Sequence, residues 1–190
     1  MSQNYQIYKI RESNRQAFQD FVYETTDRGF ALAMRLLSDA DSAKDTLQDA
    51  YIKIWEKRAH LSDVDDLYPL LAKIISNKCY DTLRKRKFRG TEYDSFDGDV
   101  VMNRFVAEDL SAQMDLEEYI TVLQHFTSVL SAKQKMVFVL SELEGFSHNQ
   151  IHEITGTSVN AIKSNLLFAR RKIKGLINNH YADITDDRKQ

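Results

Sequence analysis

Apolar residues recur along this chain at intervals of three and four, the spacing that lines one side of an α-helix, and no convincing alternating strand pattern interrupts them. Phe18, Phe21 and Val22, and then Ala33, Leu36 and Leu37, fit two early helical faces. Ala43, Leu47, Ala50, Tyr51 and Ile54 form the stripe of a helix over residues 42–57, which the pair Ser42 and Asp45 opens as a capping box. After the loop HLSDVDD, the spacing predicts a long helix over residues 67–87. Pro69 is tolerable there because it falls in the first turn, and the buried stripe is Leu67, Leu71, Ile74, Ile75, Cys79 and Leu83.

Periodicity then weakens. Residues 90–118 hold nine acids, a single base (Arg104) and two glycines, which predicts an acidic linker up to about Ala112. Helical spacing resumes with Leu116, Ile120, Leu123, Phe126 and Leu130. Ser131 with Gln134 opens a helix through Met136, Val137, Leu140 and Leu143, and Gly145 is placed to end it. Ser147 with Gln150 opens another, and the turn at Gly156 leads into a basic helix. The expected fold class is therefore all-α, as two small helical domains joined by an acidic linker, the C-terminal one containing a helix-turn-helix. The expected boundaries are 1–90, a linker over 91–112, 113–178, and a tail over 179–190.

Composition narrows the function classes. Apolar residues make up 43% of 190, enough for real cores, and one proline with six glycines leaves few hairpin turns. The net charge of −2 argues against a protein that coats nucleic acid indiscriminately, but the charge is segregated, and local fields decide partners. A single cysteine, Cys79, excludes a disulfide framework and a Cys-rich zinc site. No apolar run approaches the roughly 20 residues that span a bilayer, so no membrane insertion is expected. The N-terminus has no apolar signal core. A cytoplasmic protein is the expectation.

Three surfaces carry candidate chemistry. In the last helix Val159, Ile162, Leu166, Ala169, Ile173 and Leu176 should be buried, so Ser158, Asn160, Lys163, Ser164, Leu167 and Arg171 point away. With Ala161 and Arg170, these are candidates for insertion into a DNA groove. Small polar residues let the backbone approach base edges, and bases hold phosphates. An ordinary solvated basic face is the alternative. The 67–87 helix opposes its core with Lys73, Asn77, Tyr80, Asp81 and Arg84, followed by Lys85, Arg86, Lys87 and Arg89. Asn and Tyr can bond to or stack on an unpaired base, although such stripes are usually only solvated. The 42–57 helix turns Asp41, Asp45, Gln48, Ile52 and Trp55 or Glu56 outward, and Asp49 is a further candidate on it. Acids mixed with an exposed Ile and Trp suit a protein partner. The scattered histidines offer no recognisable catalytic set. His148 and His152 share a helix face, but no further ligand stands beside them in a motif. Neither a metal nor a cofactor is expected.

In these segments the chain resembles the extracytoplasmic-function (ECF) group of bacterial sigma factors. DSAKDTLQDAYIKIWEKR resembles the group's polymerase-binding helix. LLAKIISNKCYDTLRKRKFR resembles its promoter-melting helix, with Asn77, Asp81 and Arg84 at the matching places. LSAKQKMVFVLSELEGFSHNQIHEITGTSVNAIKSNLLFARRKIK resembles its C-terminal helix-turn-helix. The chain departs from the usual pattern at Ser131, at Ala161 and near Ile154-Thr155. The resemblance implies a protein that binds core RNA polymerase and directs it to promoter DNA, with an anti-sigma factor as a further partner. It implies that a flipped promoter base sits between Asn77 and the loop of residues 61–68, and that chemistry belongs to the polymerase, the chain itself being no enzyme. A stand-alone helix-turn-helix regulator and a helical adaptor that binds only protein are the rival readings.

Overall fold

The computed structural model describes residues 3–61, 66–88, 124, 125 and 127–187. Regular structure among them is helical, with no strand. Helix α1 (Gln3–Arg11) is followed by α2 (Arg15–Leu37), α3 (Ala40–Glu56), a 3-10 turn at Arg58–His60 and α4 (Tyr68–Phe88). The C-terminal part comprises α5 (Ala132–Phe138), a π-helical turn at Val139–Leu143, α6 (His148–Thr155) and α7 (Val159–Asp187). The expected linker at 91–112 lies outside the described residues, as do Leu116, Ile120, Leu123 and Phe126.

The two early faces belong to one helix. Asn14 caps α2 by accepting the Ala17 N–H at 2.9 Å. The helix runs through Gly29, against which Leu47 of α3 packs. A Cβ there would lie 2.7 Å from Leu47 Cδ1, so a larger residue would displace the end of that side chain. α2 ends at Ser38, whose left-handed backbone (φ 51°) donates its N–H to Met34 O.

That sharp end moves the start of α3. The cap is Asp39, whose Oδ1 accepts the Ser42 N–H at 2.8 Å. Ser42 is thus inside the helix, and the expected Ser42–Asp45 capping box is corrected to an Asp39 cap. The expected stripe of α3 is buried throughout. In α4, Leu71, Ile75 and Cys79 are buried with Ala72 and Ser76, as is Leu67 just before it, while Ile74 and Leu83 are half-buried. Ile10 of α1, Leu32 and Leu36 of α2, Ile54 of α3, and Leu71 and Ile75 of α4 join one core.

Both C-terminal capping boxes form: Ser131 with Gln134 and Ser147 with Gln150 exchange side-chain and backbone hydrogen bonds. α5 does not continue as an α-helix to Leu143. Its last turn widens, with the Glu144 N–H donating to Val139 O at 3.0 Å. The wider turn changes the phase of the side chains. Leu143, expected to continue the helix, is 42% exposed, whereas the Glu144 side chain is only 2% exposed. Gly145 closes the turn in the left-handed region (φ 74°). Gly156 does the same after α6. Ile162, Leu166 and Ala169 of α7 are buried as expected, and Val159, Ile173 and Leu176 half-buried. α7 continues to Asp187, so the backbone of 179–187 extends that helix.

The two helical units pack against each other, α4 lying along α6 and α5. The Tyr68 and Phe146 rings lie nearly parallel with centroids 6.2 Å apart. Glu144 accepts from Arg35 Nη1 at 2.5 Å, from the Tyr68 hydroxyl at 3.0 Å and from Arg28 Nε at 3.4 Å. Around Ser38, Lys135 Nζ donates to its Oγ at 3.2 Å and Gln124 Nε2 to its carbonyl at 2.9 Å.

Candidate functional site

The outward face of α3 adjoins a groove. Asp41, Asp45, Gln48, Asp49 and Ile52 are exposed and Trp55 half-buried, as the spacing requires. Beside them a cleft of about 560 Å³ opens between α2 and α3, lined by Phe18, Val22, Thr26, Phe30, Leu47, Gln48, Tyr51, Ile52 and Trp55, with Lys44 at its edge. Trp55 is held in place: its ring is 4.9 Å from that of Phe18, and the Arg58 guanidinium lies 4.3 Å from its centroid. Asp49 is an exception on this face, since it pairs with Lys78 of α4. The α2 half of the groove was missed in the sequence. Its signal is the spacing Phe18, Val22, Thr26, Phe30, four residues at intervals of four, which stands on a different face from the buried Phe21, Leu32 and Leu36.

On α4, Asn77, Asp81, Arg84 and Lys85 are exposed and Tyr80 half-buried. The side chains of Arg86 and Lys87, and the whole of Arg89, lie outside the described residues, as do residues 62–65 of the loop expected beside Asn77. What the structure brings to Asn77 and Tyr80 is the other unit. They line a cleft of about 390 Å³ together with Lys133, Met136 and Val137 of α5, Thr155, Gly156 and Thr157 of the helix-turn-helix turn, and Asn165 of α7.

Asn160, Lys163, Ser164, Leu167, Arg170 and Arg171 of α7 are exposed. Ser158 is the cap of this helix, its Oγ accepting the Ala161 N–H at 3.3 Å. Ala161 is half-buried, and its carbonyl accepts from Asn165 Nδ2 at 2.8 Å. Arg170 donates to Glu142 of the π-helical turn at 2.8 Å, which leaves Lys163 and Arg171 better placed for an outside anion. Phe168, half exposed next to Leu167, had not been singled out. His152 Nδ1 lies 2.9 Å from Thr157 O, so this histidine fastens the turn. No described helix is long and apolar enough to cross a membrane.

Two family matches cover these surfaces in order: Sigma-70 region 2 over residues 15–89, and Sigma-70, region 4, over residues 121–173. Among similar proteins, the ECF RNA polymerase sigma factor SigW of Bacillus subtilis is 24% identical over 176 residues, which is 88% of this chain and 92% of SigW. The fold is shared with CnrH, solved in complex with the cytosolic domain of CnrY (TM-score 0.69, 17% identity, 94% of this chain and 99% of that one). It is shared too with the sigma factor RpoE of Bartonella quintana, solved with the anti-sigma factor NepR (TM-score 0.62, 24% identity, 85% and 96%). A helical region 2 unit followed by a helix-turn-helix region 4 unit defines a sigma factor of RNA polymerase, a protein that directs transcription initiation. This chain belongs to that family, in its ECF group.

Proposed function

We propose that the three surfaces divide the work of initiation. The α2–α3 groove docks on core polymerase, α4 holds the strand melted near the start site, and the exposed face of α7 reads the more distant duplex element. Residues 1–90 thus bind polymerase and melt DNA, and residues 113–178 read DNA. The observation that carries the reading is the groove. It is apolar and open to solvent, with Lys44 and Gln48 as its polar lining on α3, and Asp41 and Asp45 are exposed on the same helix. An open apolar groove with aromatic walls suits a protein occupant, and the exposed acids of α3 disfavour DNA on this face. The bond-forming chemistry belongs to the polymerase, and the chain works where the polymerase does, in the cytoplasm. The RpoE neighbour, solved with an anti-sigma factor, supports a protein partner of the same kind here.

The test is a pull-down of core polymerase by the full chain. Asp45→Lys combined with Gln48→Ala alters two exposed groove-side residues and none of the buried stripe. Binding should fall with helicity unchanged, and wild-type recovery of polymerase would remove α3 as the docking face.

A further inference from the structure

We propose that Leu167 and Phe168 of α7 read thymine through its 5-methyl group, so that the more distant promoter element carries thymines where the third turn of this helix lies in the major groove. The proposal rests on the reading that α7 lies along that duplex, and it adds which base the helix selects there. Three observations lead to it.

First, the two residues are apolar and unburied on a helix whose core face is supplied by others. Ile162, Leu166 and Ala169 are buried, whereas Leu167 is 48% and Phe168 50% exposed. A single exposed Leu or Phe is ordinary. Two in succession on one helix form an apolar surface that gains from being covered.

Second, the pair stands among the polar residues that face the groove. Positions three and four apart are neighbours on a helix surface. Asn160, Ser164 and Phe168 therefore follow one another along one line, and Leu167 lies one turn beyond Lys163 and Ser164. Arg171 lies one turn beyond both members of the pair.

Third, the surroundings fix the class of partner. Lys163, Arg171 and Lys174 are exposed before and after the pair, and the sequence holds no acid between Glu153 and Asp183. Arg170 donates to Glu142 and Lys172 to Val129 O, each at 2.8 Å, so these two cations brace the helix against its own unit. An apolar patch with a cationic rim suits a polyanion that also offers an apolar group. Phosphates supply the charge. The apolar group on the base edges of the major groove is the thymine methyl, and the other groups there are hydrogen-bond donors and acceptors that Leu and Phe cannot meet.

The test uses holoenzyme assembled from core polymerase and the full chain. A duplex library randomised over the distal element is selected for binding. Each thymine of the selected element is then replaced by deoxyuridine, which deletes the methyl and leaves the pairing and the groove's hydrogen-bonding groups as they were. Wild type should lose about fourfold in affinity per contacted methyl. Leu167→Ala and Phe168→Ala change exposed side chains, so helicity should stay at the wild-type level. Each should weaken binding to the thymine duplex and be indifferent to uracil at the position it reads. Phe168→Arg, taken through the same selection, should replace thymine by guanine at its position, because Arg bonds to the O6 and N7 of guanine. Uracil tolerated by the wild type at every position would overturn the methyl readout, as would an equal uracil penalty in wild type and both alanine variants. In either case the selected element would still uphold α7 as the reader of the duplex. Loss of core-polymerase binding by the alanine variants, with no uracil-specific effect, would mean that the pair meets protein and would overturn the proposal too. A selection that enriches no distal element would sink the α7 reading itself, and this proposal with it.

Discussion

Gly29 and Tyr68 show how single side chains set the positions of whole surfaces. At Gly29 the nearest atoms to an added Cβ belong to Leu47, Ile75 and Leu71, so a branched residue would press on α3 and α4 together. Gly29→Val should cost about 1–3 kcal/mol through overpacking, measured by urea unfolding, and should blunt polymerase binding because Leu47 is also a groove wall. At Tyr68, burial first and the Glu144 carboxylate second push the phenol above its ordinary range, with Arg28 and Arg35 pulling the other way. The folded state therefore holds this proton more tightly than the unfolded chain. At neutral pH the group is protonated in both states and contributes no pH dependence. Above about pH 10, the ordinary tyrosine value, folded stability falls as the unfolded chain alone ionises. Tyr68→Phe should lose about 1 kcal/mol at neutral pH with the hydrogen bond, yet lose less than wild type between about pH 9 and about pH 11. Urea midpoints for both proteins across that range decide it. Neither role was legible in the sequence. A glycine in a helical run and a tyrosine before a proline give no hint of partners that are distant in the chain.

Elements were more legible, because capping and periodicity are local. The helix starts at Ser131 and Ser147 follow from the S-x-x-Q pattern alone, and both form. The α3 start was misplaced because Ser42–Asp45 resembles that pattern with an acid in place of Gln, and what selects Asp39 is the left-handed turn at Ser38. The helix expected through Leu143 assumes an unbroken α-helical period, and one π-helical turn changes the phase. Two predictions belong here. Ser147→Ala removes the cap of the first helix of the helix-turn-helix and should cost about 0.5–2 kcal/mol, read by thermal unfolding. On α7, Arg171→Ala should weaken binding to every duplex alike and reduce the salt slope by about one, as the loss of a phosphate contact does. Asn160→Ala or Ser164→Ala should instead cost about 1–3 kcal/mol at one base position. A binding series over single-base promoter variants at several salt concentrations separates the two behaviours, and equal losses on all sequences would remove direct base readout from this helix.

At the scale of the molecule, the order of surfaces along the chain was legible and their juxtaposition was not. The acidic stretch at 91–112 pointed to two joined units and left their arrangement open, and no local pattern in α4 or α6 announces that they pack together. The consequence bears on Asn77. Its exposure and the basic run that begins at Arg84 suit a melted strand, and it lines one cleft with Thr155 and Gly156. Splaying a base from the duplex costs a few kcal/mol, which, on the role proposed for α4, hydrogen bonds and stacking at Asn77 and Tyr80 would return. The basic run attracts phosphates without choosing bases. Asn77→Ala should therefore leave closed-complex binding through α7 close to wild type and reduce strand opening by polymerase holoenzyme. Permanganate reactivity of unpaired thymines on a double-stranded promoter measures that opening directly. Placing a pre-melted bubble in the same promoter should restore initiation by the variant, since the bubble removes the cost that Asn77 would otherwise help to offset. Undiminished opening on the duplex promoter would leave Asn77 as a solvated residue beside the seam.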